Sequence, residues 1–348
     1  MKLWQYVVRR VLLLVPVILG VTLITFVLIN ASGDPCTIYI KERMTPQEKQ
    51  EVRERHGCDA PVHVRYGLYM SSLLHGDLGV SAGSERSVAA DLAQRFPATF
   101  DLTLVAMLLA VLAAVPLGVI SATRKDTLPD HLSRTFALSG VSIPVFWFAL
   151  LLQLLMFTLG RMGLPALPFA HRYDDTLSFT HPFLADPTLQ PTGLLILDSV
   201  LLGDSTAFVD LIAHIIMPAT ALAYISMAII TRMMRSSMLE VLRQDFVLTA
   251  RSKGVPERLV IRRHARRNAM IPTVTVVGLS FGGLLAGAVL TESVFAWEGV
   301  GRWSTLAAVT RDTAPVMGFA TVISVVYVLA NLIVDVLYAY LDPRIRLE

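Results

Sequence analysis

The sequence predicts an all-α integral membrane protein with six transmembrane helices. Hydrophobic residues fill 54% of the 348 positions and charged residues only 16%, against about a quarter charged in soluble domains. Six apolar runs, roughly 11–29, 102–122, 136–159, 211–230, 271–290 and 316–340, are close to or above the ~20 residues a helix needs to cross the hydrocarbon core. The runs are continuous, which argues against the alternating pattern of a membrane β-barrel.

The first run follows Lys2, Arg9 and Arg10 and is trailed by the small residues Ala31, Ser32 and Gly33. That order also suits a cleaved signal peptide, but its 19 apolar residues exceed the usual core of about 7–15, so a retained helix is expected. The first five runs contain no Lys, Arg, Asp or Glu, and the sixth carries Asp335 near its end. Pro16, Pro116, Pro144 and Pro218 fall inside runs, where bends are expected. His214 reads as a packing or interfacial residue of the fourth run. In the fifth run, Gly278/Gly282 and Gly283/Gly287 form two GxxxG patterns. Such glycines let helices approach closely, either within this chain or toward a partner.

Residues 31–100 are too long for a simple connector. Thr45-Pro46-Gln47-Glu48 has the form of a capping box with Pro at the first helical position, starting a helix that ends near His56 and Gly57. A second helix is expected from Pro61 to about His75-Gly76. The two cysteines, Cys36 and Cys58, bracket the first of these helices. If they face an oxidising compartment, they are a candidate disulfide.

Basic residues set the orientation. The N-terminus has three and no acid, and the 123–135 loop has Arg124, Lys125 and Arg134. The 232–268 insert has ten against three acids, and the tail adds Arg344 and Arg346. The 160–210 loop reverses the bias, with two Arg against six Asp, and 31–100 is balanced at eight against nine. With six spans, every basic segment and both termini lie on one side, which the positive-inside bias marks as cytoplasmic. The chain then divides into 1–30 (N-terminus and first span), 31–100 (an external helical segment), 101–340 (a core of five spans containing the 232–268 cytoplasmic loop) and a tail, 341–348.

The most structured part of that loop reads DFVLTARSKGVPERLVIRRHARRNAMIP, residues 245–272. Asp245 is placed to cap a helix running to about Lys253. Arg251 and Lys253 suit the negative end of its dipole, and Gly254 sits where a left-handed C′ residue belongs. Pro256 and Glu257 suit the first turn of a second helix, which would carry Arg258, Arg262 and Arg266 on one stripe and end before Pro272. Three readings compete: a topology anchor touching anionic lipid, a nucleic-acid reader, and a docking element for a cytoplasmic partner. Tethering between two spans disfavours nucleic acid, and an anchor does not require a glycine-hinged helix pair.

At these residues the chain resembles a known family. LTARSKG followed by RHARRNAMIP is similar to the cytoplasmic EAA-loop region of bacterial ABC importer permeases, and more closely to the B-type permease of dipeptide and oligopeptide importers. The start RRVLLLVPVILGVTLITFVLI, HGDLGVS at 75–81, RMMRSSMLEVL at 232–242, LLAGAVLTESVFAWEGVGRW at 284–303 and DPRIR at 342–346 agree. The resemblance therefore covers nearly the whole chain. One departure is that Leu248, followed by Thr249 and Ala250, stands where the general EAA pattern has Glu.

The resemblance implies a type I ABC importer permease in the bacterial inner membrane. It implies a second permease subunit forming a heterodimer, two cytoplasmic ATPase subunits that bind ATP and Mg, and a periplasmic substrate-binding protein. Asp245, Thr249, Ala250, Gly254, Pro256 and Arg258 would couple to the ATPase, and Gly278, Gly282, Gly283 and Gly287 would face the pathway and the partner permease. The chain itself has no GxxxxGK[ST] phosphate loop, since no Gly is directly followed by Lys. It also has no CxxC and no Cys/His cluster with metal-ligand spacing. A non-catalytic subunit without its own cofactor is expected. Nickel or another small solute such as glutathione is the alternative cargo within the family. An ion-coupled carrier is disfavoured because no carboxylate or His pair lines the spans. A membrane sensor or scaffold would need a signalling domain that the sequence does not contain.

Overall fold

The computed structural model describes residues 3–31, 40, 44–55, 57 and 59–341. Among these the protein is helical, with no strand and only one isolated bridge, between Val80 and Ser87. The long helices are α1 (Leu3–Ala31), α4 (Val88–Thr123), α8 (Ser205–Val241), α11 (Arg266–Gly287) and α14 (Thr313–Leu341). Four helical stretches, 88–123, 205–241, 257–285 and 313–334, are long and apolar enough to cross a membrane. A bent pair, α5 (Leu128–Ser142) and α6 (Val145–Arg161), adds a fifth if it counts as one span.

The core is the contact of α4 with α8, and its cause is a row of small side chains. Ala98, Leu102, Ala106, Ala110, Ala114, Gly118 and Ala122 recur every fourth residue along α4, all on one ridge and all but Leu102 small. Ala98 through Ala114 are buried against Ile215, Ala219, Leu222, Ala223 and Ile230 of α8. At Gly118 a Cβ would lie 2.6 Å from the Met234 Cβ and 2.9 Å from the Thr231 carbonyl. Gly140 gives α5 the same close approach to α8, 2.7 Å from the Ala228 Cβ. Small residues let these backbones meet where lipid offers no hydrophobic drive to associate.

The third apolar run is not a straight span. It breaks at Ile143-Pro144 into α5 and α6, whose axes turn by 108°. Pro144 lacks an N–H and pushes Ile143 into an extended conformation, φ −89° and ψ 123°. Pro16, Pro116 and Pro218 stay inside continuous helices. Tyr224 fills the corner at the break. Its ring stacks on Phe148 at 4.4 Å and meets Phe136 edge-on at 5.2 Å, and its hydroxyl lies 2.7 Å from that of Ser139.

The capping box forms: the Thr45 N–H donates to Glu48 Oε2 at 2.7 Å, and the Glu48 N–H donates to Thr45 Oγ1 at 3.3 Å. It starts α2 (Pro46–Arg55), and Gly57 follows with φ +60°. Next, α3 (Val62–Leu74) leans on α1 through Tyr66, near Thr22 and Phe26, and on α14 through Tyr69, 3.2 Å from Thr321. Cys36 and Cys58 lie outside the described residues.

Gly118→Leu is expected to force α4 off α8 and cost about 1–3 kcal/mol or more, read as a lower unfolding midpoint in detergent. Gly20→Ala, where an added Cβ meets nothing within 4 Å, is the control and is expected not to lower the midpoint, since Ala favours a helix interior over Gly.

Candidate functional site

The basic segment folds back onto the ends of α4 and α8. Helix α9 (Asp245–Ser252) buries Val247 and Ala250 among Ala122, Met234, Met238 and Val241. Its C-terminus is a Schellman turn. The Val255 N–H donates to the Ala250 carbonyl at 3.2 Å, and the Gly254 N–H to the Arg251 carbonyl at 2.9 Å. Gly254 has φ +76° with nothing within 4 Å of an added Cβ, so it is required for its left-handed backbone and not for space. Arg251 clamps the turn, pairing with Glu257 through Nε at 3.0 Å and its terminal nitrogen at 2.6 Å.

Several expectations change here. Asp245 is the first helical residue, after Gln244, and its side chain caps nothing. It serves only as an acid in the first turn, and its carbonyl accepts from the Thr249 hydroxyl at 2.9 Å. Pro256 caps the second helix from outside. That helix, α10 (Glu257–Leu259), does not stop before Pro272. It runs through a π-helical turn, Val260–Ala265, directly into α11, which carries Pro272 inside it. Only Arg258 leaves the expected stripe. Arg262 and Arg266, with Arg263 and Arg267 beside them, line an open groove of about 600 Å³ with Asn268 and Met270.

Ala250 is only 8% exposed and packs inside the chain, among Val247, Met238 and their neighbours. The outward surface consists of Phe246, Leu248 and Leu259 at 38, 50 and 48% exposure, with Thr249, Lys253, Pro256 and Arg258 also exposed. Large apolar side chains ringed by cations, outside the membrane-spanning runs, are what a partner's cleft would cover.

The glycines of α11 divide. A Cβ on Gly278 would lie 2.1 Å from the Val334 Cγ2, and one on Gly282 would lie 3.4 Å from the Tyr327 ring, so both serve packing on α14. Gly283 faces open space and Gly287 ends the helix.

At the far end of the α4–α8 pair lies a group that the sequence reading did not single out. Glu292, in α12 (Val289–Val294), is fully buried. Its carboxylate accepts from Thr99 Oγ1 at 2.6 Å and from the Arg302 N–H at 2.9 Å. Gly299 and Gly301 make its cradle, because a Cβ on either would lie 2.4 or 2.9 Å from the carboxylate. Beside it the Trp297 indole N–H donates to the Ala98 carbonyl at 2.9 Å. The Arg172 guanidinium stands 5.6 Å over the Trp297 ring and 3.4 Å from Asp101. The knot ties α12 and α13 (Val300–Val309) to α4. Burial pushes the Glu292 carboxyl above the usual carboxylate range, while the Thr99 hydroxyl and the backbone N–H groups of Arg302 and Gly301 pull the other way. The signal in the sequence was a lone Glu after an apolar run, followed by the glycines of EGVG.

Residues 114–347 match the family described as binding-protein-dependent transport system inner membrane component, and residues 3–103 match the N-terminal part of such a membrane component. The chain belongs to this family. It is 41% identical over 346 residues to the probable D,D-dipeptide transport system permease protein DdpB of Escherichia coli (strain K12), covering 99% of this chain and 98% of the relative. It is 40% identical to the dipeptide transport system permease protein DppB of Alkalihalophilus pseudofirmus, covering 98 and 99%. It is 33% identical to the oligopeptide transport system permease protein AppB of Bacillus subtilis (strain 168), covering 98 and 99%.

The permease is thus a non-catalytic membrane subunit of a system with other components. Its two polar ends have different characters: an exposed, cationic surface at one and a closed carboxylate knot at the other. Glu292→Gln is expected to set an amide N–H₂ against an N–H or O–H donor and cost about 1–3 kcal/mol. With its folded value raised, Glu292 binds more protons folded than unfolded, so its contribution to stability falls as pH rises from the ordinary Glu value through the raised one. Unfolding midpoints of wild type and Glu292→Gln across that window check both points, and the slope is expected to flatten in the variant.

Proposed function

We propose that this permease is one of two permease subunits of a bacterial ABC importer that moves dipeptides or short oligopeptides across the inner membrane. Near-full-length similarity to permeases named for dipeptide transport, at 39–41% identity, carries the reading. With α1 and the bent pair counted, the spans number six, and both termini and the 232–268 loop face the cytoplasm. A periplasmic binding protein delivers peptide, and two cytoplasmic ATPase subunits bind ATP and Mg. Docking of an ATPase on the face formed by Phe246, Leu248 and Leu259 converts nucleotide binding into movement of the 257–287 helix. Alternating access follows from rigid-body motion around a central pathway. Uptake by the reconstituted complex, with di- and tripeptides, nickel and glutathione competing, tests the cargo. Competition by nickel or glutathione but not by peptides would replace the peptide assignment.

Topology is checked by cysteine labelling in intact cells in a background without the native cysteines. Asp186→Cys is expected to react with an impermeant thiol reagent, and Arg258→Cys is not.

Coupling is checked with Leu248→Asp, which changes only an exposed side chain, and Gly254→Val, which strains the turn by about 1–2 kcal/mol. Both are expected to insert normally but lower peptide uptake and substrate-stimulated ATP hydrolysis together, by tenfold or more for a partner contact of about 1.4 kcal/mol. Unchanged coupled transport by both would reduce the segment to a topology anchor. Ala250→Asp is expected to lower subunit yield as well, because it places a charge in the packed cluster.

A further inference from the structure

The geometry points to a binding site for the phosphate headgroup of an anionic phospholipid between α4, α5 and α8, at the end of the bundle that carries the basic segment. A cavity of about 310 Å³ lies there, lined by Ser121, Ser133, Arg134, Leu138, Arg232 and Arg235 among others. Three cations converge on it from two helices. One is spent: Arg235 pairs with the fully buried Asp130 through Nε at 2.8 Å and a terminal nitrogen at 2.9 Å. The Ser121 hydroxyl, at 2.5 Å, and the Asp126 N–H, at 3.0 Å, fill the other acceptor positions of Asp130. That carboxylate is saturated, and Arg235 is held rigid at the cavity wall.

Arg134 and Arg232 have no carboxylate within 4.0 Å among the described residues. Two cations therefore face the cavity uncompensated, next to the exposed Ser236 hydroxyl. Guanidinium groups match phosphate oxygens in charge and in geometry. A lipid, and not a soluble anion, is the occupant because of what continues from the site. Leu138 lies one turn beyond Arg134 on α5 and is 63% exposed, and Val141 after it is 54% exposed. A cation with an apolar rail leading away from it, at the cytoplasmic ends of three helices, suits a headgroup with its acyl chain. The bound lipid would brace α5 against α8 just before the turn at Pro144. The side of the membrane rests on the orientation given under Proposed function, and the labelling experiment there tests it separately.

The test uses the assembled transporter, delipidated in detergent and titrated with phosphatidylglycerol or phosphatidylcholine while native mass spectrometry counts bound lipid. Wild type is expected to retain one phosphatidylglycerol per copy of this chain that the Arg134→Gln/Arg232→Gln variant retains about thirtyfold more weakly, two cations' worth of surface attraction. Phosphatidylcholine is not retained, and Arg134→Lys/Arg232→Lys restores most of the binding. The same lipid is expected to raise the unfolding midpoint of wild type but not of the Gln variant. Equal retention by wild type and the Gln variant would overturn the site. So would no retention by wild type, the outcome if another subunit covers the groove. Displacement of the lipid by millimolar inorganic phosphate would make a soluble anion the ligand and overturn the lipid assignment.

Discussion

The close approach of α4 to α8 is the constraint on which the rest of the protein depends. It exists because small residues, Leu102 excepted, recur every fourth position on α4, from Ala98 to Ala122. In lipid such contact must be made by dispersion and shape, since tails and side chains are equally apolar. Each functional end hangs from one end of this pair. Ala122 and Met238 begin the cluster that receives α9, whereas the Ala98 carbonyl accepts from Trp297 and the Thr99 hydroxyl donates to Glu292.

The two ends solve opposite problems. At the Glu292 end a carboxylate is taken out of water and given donors and a glycine cradle, so a single side chain sets the relation of three helices. Removing one partner of such a group costs more than the group contributes when complete. At the other end the buried contacts are apolar and the charges face outward. Val247 and Ala250 fix α9, Gly254 and the Arg251–Glu257 pair fix the turn, and Phe246, Leu248 and Leu259 remain uncovered. A surface can exchange partners only if its own fold is secured from behind.

Much of this was legible in the sequence where one physical cause dominates. Apolar length located the helices, although α4 and α8 extend well beyond their apolar runs: α4 begins at Val88 and continues through Pro97, and α8 runs on to Val241 with no Gly or Pro after Pro218. Gly254 was legible because a glycine after a basic last turn has few other uses. Pro144 was visible but could not be told from Pro16, Pro116 and Pro218, since whether a proline breaks a helix depends on what fills the corner, here Tyr224. Ala250 read as a contact because a small residue suits either a partner's surface or a packed interior. Gly278 and Gly282 carried the same ambiguity, and within this chain they pack against Val334 and Tyr327 of α14. Glu292 was passed over because a single acid beyond an apolar run looks like a solvated residue. The four-residue ridge of α4 was available to inspection, but alanines stand out less than glycines.

The continuity of the helix from Glu257 to Gly287 has a mechanical consequence. Its 31 residues make a rod about 45 Å long that begins at the exposed Leu259 and meets α14 at Gly278 and Gly282. A push at the free end has two compliant joints to cross, the wide π turn at Val260–Ala265 near its start and the missing hydrogen bond at Pro272 at its midpoint. Beyond them the rod is regular helix, and the Val334 and Tyr327 side chains of α14 pack directly on its backbone at Gly278 and Gly282. Displacement at the free end is therefore taken up first at these joints, and only what passes them reaches the α14 seam, as a tilt of the rod's second half.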